Sequence, residues 1–141
     1  MRQIDDKYIK TGVVRFGYAQ MAFLGQESNW AAEASECAND QNAFWNYHDK
    51  LYASHAGENQ GAFSKDKLKQ FAADLKLNTA TFNACLDSNK HQVQVLEDTE
   101  LFQSVGIQST PTFLINGKAV QGALPFDQLS QIIESEKAKK K

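Results

Sequence analysis

The residues able to do covalent or acid–base chemistry are few. Cys37 and Cys85 stand 48 positions apart, a spacing that matches neither Cys-x-x-Cys nor a zinc pattern. Spacing alone leaves open both one structural disulfide and two reduced thiols packed as small hydrophobes. Each cysteine falls within an amphipathic helical pattern rather than at a helix start, where a thiolate would be stabilised, so neither reads as catalytic. His48, His55 and His91 are scattered, and no pair of them has metal-ligand spacing. His48, on an aromatic helix face, reads as a half-buried, hydrogen-bonded residue. Glu33 and Glu36, at i and i+3, suit a solvated helix face, with no third group placed to make them an acid–base pair. No metal and no cofactor is implied. The stretch with the most specific chemistry is "GIQSTPTFLINGKAVQGA", residues 106–123, where Ser109-Thr110-Pro111 precedes a β-hairpin signal.

Composition bounds the partners. At 141 residues the chain has the length of one domain, and a net charge of −2 with a pI near 5.9 gives no sign of a nucleic-acid binder. Its apolar runs fall far below the roughly 18 residues of a membrane span. The start, "MRQIDDKYIKTG", is polar and has no apolar signal-peptide core. The protein is therefore cytosolic, or the chain comes from a longer exported precursor.

The elements that must position these residues are mostly helical. "RQIDDKYIK" reads as the tail of a helix ended by Thr11-Gly12, and "VVRFGY", residues 13–18, as a strand. From about 28 to 90 the chain is Ala-rich and helical. Ser28 or Asn29 caps a helix with Trp30, Ala34 and Cys37 on one stripe. Phe44, Tyr47, His48 and Leu51 mark a second helix. Ser64 caps a third that turns Leu68, Phe71, Ala72 and Leu75 inward. Asn78 or Thr79 caps a fourth that buries Phe82 and Cys85. A fifth, roughly 91–105, carries Val95, Leu96 and Leu101 or Phe102, and Gly106 stops it. Trp30, Trp45, Phe44 and Phe71 read as core. "PTFLINGKAVQG" is two strands joined by Asn116-Gly117, a pair suited to the positive φ of a tight hairpin turn. A terminal helix follows, with Pro125 near its start, Leu129, Ile132 and Ile133 buried, and "KAKKK" complementing the dipole at its end.

"VGIQSTPTFLING" closely resembles the cis-proline loop and hairpin of thioredoxin-fold proteins. "AAEASECANDQNAFWNYHDKLY" and "LKQFAADLKLNTATFNACLDS" resemble the inserted helical domain of DsbA-like disulfide oxidoreductases. The resemblance runs from about residue 8 to residue 135. It implies an α/β, thioredoxin-like fold of the DsbA type: 1–20 and 106–141 form a partial thioredoxin-like domain, and 21–105 an inserted all-α subdomain. The implied activity is thiol–disulfide oxidoreduction of exported proteins, with no cofactor beyond the protein's own cysteines. Thr110 and Pro111 would hold the backbone of an extended peptide or unfolded protein substrate. Cys37 and Cys85 would form a structural disulfide, as some relatives have.

This sequence departs from the family at its chemical centre. Members normally carry a central strand ending in Cys-x-x-Cys at the start of the first helix, where the helix dipole lowers the attacking thiol's pKa. That strand and motif would lie before Met1, so the first central strand is expected to be missing and the chain as written to be inactive. The other class of reading is a non-catalytic peptide-binding or structural module that uses the same proline loop. The strands at 13–18 and 112–115 would flank the gap, either pairing directly or, as preferred, taking a second copy in a homodimer by strand exchange or edge pairing. The family places the protein in the periplasm or another extracytoplasmic space, while the absence of a signal peptide leaves the cytoplasm as the alternative.

Overall fold

The computed structural model describes residues 2–139, so the last two lysines of "KAKKK" lie outside the described residues. Two compact units are present, one built from residues 1–19 and 103–141, the other from 20–102.

In the first unit a short helix, α1 (Arg2–Ile4), continues as a π-helical turn, Asp5–Ile9. Strands β1 (Thr112–Ile115) and β2 (Lys118–Gln121) form an antiparallel hairpin, with Phe113 opposite Val120 and Leu114 opposite Ala119. Asn116 and Gly117 both take positive φ, 49° and 83°, as a two-residue turn of this hand requires. Helix α7 (Phe126–Ala138) starts after Pro125. Alternation along β1 turns Phe113 and Ile115 toward a small core of Ile4, Tyr8, Leu129 and Ile133, and leaves Leu114 outward. The Tyr8 hydroxyl is hydrogen-bonded to Ser130 Oγ, which also accepts from Lys7 Nζ at 3.1 Å.

The segment expected as a strand at 13–18 is not one. A strand exists through ladder bonds to a neighbour, and among the described residues β1 and β2 pair only with each other. The amides of Val13 and Val14 instead donate to Tyr8 O, winding the chain around the end of the π-helical turn. Direct pairing of 13–18 with 112–115 therefore does not occur.

The second unit is helical: α2 (Gln26–Asn39), α3 (Phe44–Ala53), α4 (Lys65–Asp74), α5 (Thr79–Asp87) and most of α6 (Gln92–Ser104). Helix α2 is central and touches α3, α4 and α5. Its core neighbours are Tyr47, Leu51, Leu68, Phe82 and Leu86, each of which contributes about 1.5–3 kcal/mol by leaving water. Val95 of α6 packs with Ala22 and Ala32, while Thr99 Oγ1 accepts from Ala22 N at 3.0 Å.

Several local expectations shift. Helix α2 begins before Ser28, because a distant side chain caps it: Asn59 Oδ1 accepts from Glu27 N at 3.3 Å. Gly25, at φ 112°, makes room for this, since a Cβ there would lie 2.5 Å from the Asn59 amide. Asn78, not Thr79, caps α5 and accepts from Thr81 N at 3.0 Å. Trp45, Leu96 and Leu101 are exposed rather than core. No described helix is long and apolar enough to cross a membrane.

Candidate functional site

The proline loop is positioned from both ends. Gly106, at φ 86°, closes the last turn of α6 by donating to Gln103 O, and the buried Ile107 anchors the chain beyond it. Residues 108–111 are then exposed. The Thr110-Pro111 peptide bond is cis. Thr112 Oγ1 donates to Ser109 O at 2.6 Å, and Gly122 N donates to Pro111 O at 2.8 Å, so the loop is tied to the hairpin on each side of Thr110. The backbone N–H and C=O of Thr110 itself hydrogen-bond to none of the described residues. β1 carries β2 on one edge and no strand among the described residues on the other. The loop thus presents, at an exposed residue, a main-chain donor and acceptor unpaired among the described residues, just ahead of an open strand edge.

Cys37 and Cys85 are joined in a disulfide with a Cα–Cα distance of 5.9 Å, at the centre of the helical core. Two elements set this up. Cys37 lies on the buried stretch of α2. The α5 cap holds Cys85 opposite it, because Gln41 clamps Asn78: Gln41 Oε1 accepts from Asn78 N at 2.8 Å and Gln41 Nε2 donates to Asn78 O at 3.3 Å. At the solvent side of the disulfide, Asp40 Oδ2 lies 3.8 Å from Cys85 Sγ, 2.7 Å from Lys90 Nζ and 2.9 Å from His91 Nε2. Partial burial works against charge on Asp40, but the hydrogen bonds from Lys90 and His91 outweigh it and hold the carboxyl below its usual range. Among the described residues, Cys37, Cys85 and His91 bring three metal-ligating atoms, two sulfurs and one ring nitrogen, within 4.8 Å of one another; with the disulfide formed, the two sulfurs are bonded to each other and are not thiolates.

The acid pair read as solvent-facing is buried. Glu33 is 1% exposed, and neither carboxylate oxygen has a hydrogen-bond partner among the described residues. Burial pushes its pKa up, with Lys65 and His91 pulling it partly back. Glu36 is also buried and accepts from Gln20 Nε2 at 2.7 Å and from Asn39 Nδ2 at 3.3 Å. His48 is half-buried among Trp45 and Tyr52 and meets Asp49 at 3.2 Å. A shallow depression of about 440 Å³ between β2 and α7 is lined by Lys118, Glu136 and Lys139, which pair with one another.

Asp40, Lys90 and His91 carry no sequence signal as a group, since Asp40 lies 50 positions from Lys90 and 51 from His91. Only the Cys37–Cys85 pairing, taken with helix register, brings them together.

Comparison with known proteins identifies the family and the fold. The thioredoxin family model matches residues 1–135. Disulfide bond formation protein D of Bacillus subtilis is 31% identical over 137 residues, covering 95% of this chain and 62% of that protein. The crystal structure of oxidised BdbD from Bacillus subtilis superposes with a TM-score of 0.86 at 30% identity, over 98% of this chain and 76% of that one. The Na(+)/H(+) antiporter NhaA 1 of Salinispora arenicola is 36% identical over 105 residues, 74% of this chain and 15% of the antiporter. The chain thus spans less than two thirds of the length of these curated relatives.

Proposed function

The chain belongs to the thioredoxin family, in its DsbA-like form with an all-α insertion, and from that premise we propose that residues 106–122 form the peptide-holding side of a thiol–disulfide oxidoreductase of exported proteins. The backbone of Thr110 carries this reading: it belongs to an exposed residue, lies just ahead of an open strand edge and is unpaired among the described residues. An extended substrate segment would add there main chain to main chain, as in strand addition. Pro111 has no N–H and offers an apolar ring face beside the substrate's sulfur.

Exchange needs a thiolate that attacks a disulfide sulfur and a resolving thiol close by. These 141 residues hold two cysteines, and both are engaged in the buried Cys37–Cys85 bond. We assign that bond a structural role, clamping α2 to α5, and expect no turnover from these residues by themselves. Reduction of insulin by a dithiol, followed with the native chain and with the Cys37→Ser/Cys85→Ser variant, tests this. Equal background rates agree with it. Faster reduction by the native chain would give the buried cysteines a catalytic role and overturn it.

A non-catalytic peptide-binding module is the second reading, favoured by the lack of Cys-x-x-Cys in these residues. Joining a strand that ends in Cys-x-x-Cys ahead of residue 1 separates the two. The oxidoreductase reading predicts turnover on joining; the binding module predicts none. A disulfide of this kind persists in oxidising compartments, which supports an extracytoplasmic location. The open edge of β1 supports pairing with a second copy, and a strictly monomeric species in sedimentation at high concentration would refute that.

A further inference from the structure

We propose that reduction of the Cys37–Cys85 bond creates a zinc site, with the two thiolates, the imidazole of His91 and the carboxylate of Asp40 as its four donors. The first support is convergence: both sulfurs and a ring nitrogen of His91 already lie within 4.8 Å of one another, and Asp40 Oδ2 is 3.8 Å from Cys85 Sγ and 2.9 Å from His91 Nε2. Two sulfurs, one nitrogen and one oxygen suit tetrahedral Zn²⁺, with bonds of about 2.3 Å to sulfur and about 2.0–2.1 Å to nitrogen. Lys90 also donates to Asp40 Oδ2, at 2.7 Å, and a carboxylate has two oxygens, so this contact and metal binding are compatible.

The second support lies around the ligands. His91 Nδ1 faces Gln94 Oε1 at 3.2 Å, while Nε2 faces Asp40. An outer partner on one ring nitrogen that leaves the other aimed at the site is the usual arrangement of a metal-binding histidine. One turn before Cys37 on the same helix, Glu33 is a buried carboxyl with no hydrogen-bond partner among the described residues. A cation bound close to it would compensate its charge.

The chemistry balances as follows. A dithiol reductant passes two electrons and two protons to the disulfide, giving thiols at Cys37 and Cys85 and a disulfide in the reductant. Zn²⁺ then displaces the two thiol protons to solvent and bonds both sulfurs. The ion would restore the α2–α5 link that reduction breaks, so the helical unit is clamped in either redox state.

The test uses the full chain, oxidised or reduced with dithiothreitol and freed of it without air, with zinc sulfate as probe and binding read by native mass spectrometry. The expected result is one zinc per reduced chain, none per oxidised chain, and a higher unfolding temperature for the reduced chain with zinc. Cobalt in place of zinc should give thiolate charge-transfer and tetrahedral d–d bands. Gln94→Ala should weaken zinc binding by about 10-fold, and His91→Ala, which removes a ligand outright, by more than Gln94→Ala, with two free thiols retained in each. The proposal is overturned if the reduced chain takes up no more zinc than the oxidised one, or if His91→Ala binds as tightly as the native chain. Neither result depends on peptide binding at Thr110.

Discussion

The hydroxyl of Tyr47 donates to the backbone carbonyl of Leu68 at 2.8 Å, and neither side chain has any solvent exposure. This bond ties α3 to α4 inside the helical core. Tyr47→Phe keeps the ring and its tilted contact with Phe82 but removes the donor, and should cost about 1–2 kcal/mol in urea unfolding. Burial also raises the Tyr47 pKa well above its ordinary value. At pH 7 the phenol is neutral whether folded or unfolded, so it adds no pH dependence there. As pH rises past about 10, the unfolded phenol ionises and the folded one does not, so stability falls. Tyr47→Phe should remove part of that alkaline loss.

Cys37 and Cys85 close a loop spanning 48 positions. Opening it in a Cys37→Ala/Cys85→Ala variant should lower the unfolding free energy by about 4 kcal/mol on the chain-entropy model. Chemical denaturation in the presence of a chelator measures this, and a loss under about 1 kcal/mol would argue against the clamp.

Glu33 supplies a pH dependence of its own, with Lys65 and His91 as the charged groups acting on it. Its folded pKa is raised, so its contribution is most favourable below the unfolded carboxyl pKa and is lost as pH climbs through the folded value. Glu33→Gln should therefore melt above the native chain at pH 7, and the gap should close on acidification to about pH 4, near the reference carboxyl value. A gap independent of pH would mean that Glu33 ionises at no cost.

Glu27 holds the loop between α3 and α4. Its carboxylate accepts from Gly61 N at 2.6 Å and from Phe63 N at 3.0 Å. Glu27→Ala should cost about 1.5–3 kcal/mol per charged hydrogen bond lost at most, and should speed hydrogen exchange at these two amides ahead of the core.

What the sequence disclosed follows the range of the forces involved. The hairpin turn at Asn116-Gly117 is local and stands where the residue types put it, and of the two cap candidates, Asn78 and Thr79, the first takes the role. The strand read at 13–18 failed because a ladder needs a partner, which residue types cannot supply. Glu33 and Glu36 were misjudged because α2 is buried on every side from Ala32 to Ala38, where small residues let neighbouring helices close in. No periodicity signals a helix surrounded in this way while it still carries glutamates. The Asp40, Lys90 and His91 cluster at the disulfide is a product of tertiary packing alone.

The central claim is that the main chain at Thr110 receives an extended substrate. The most direct measurement is an amide NMR titration of the chain with an unstructured, cysteine-containing peptide. Saturable shifts centred on Ser109, Thr110, Thr112 and Gly122 are predicted. Shifts confined to the helical unit, or none at a large excess of peptide, would contradict the account.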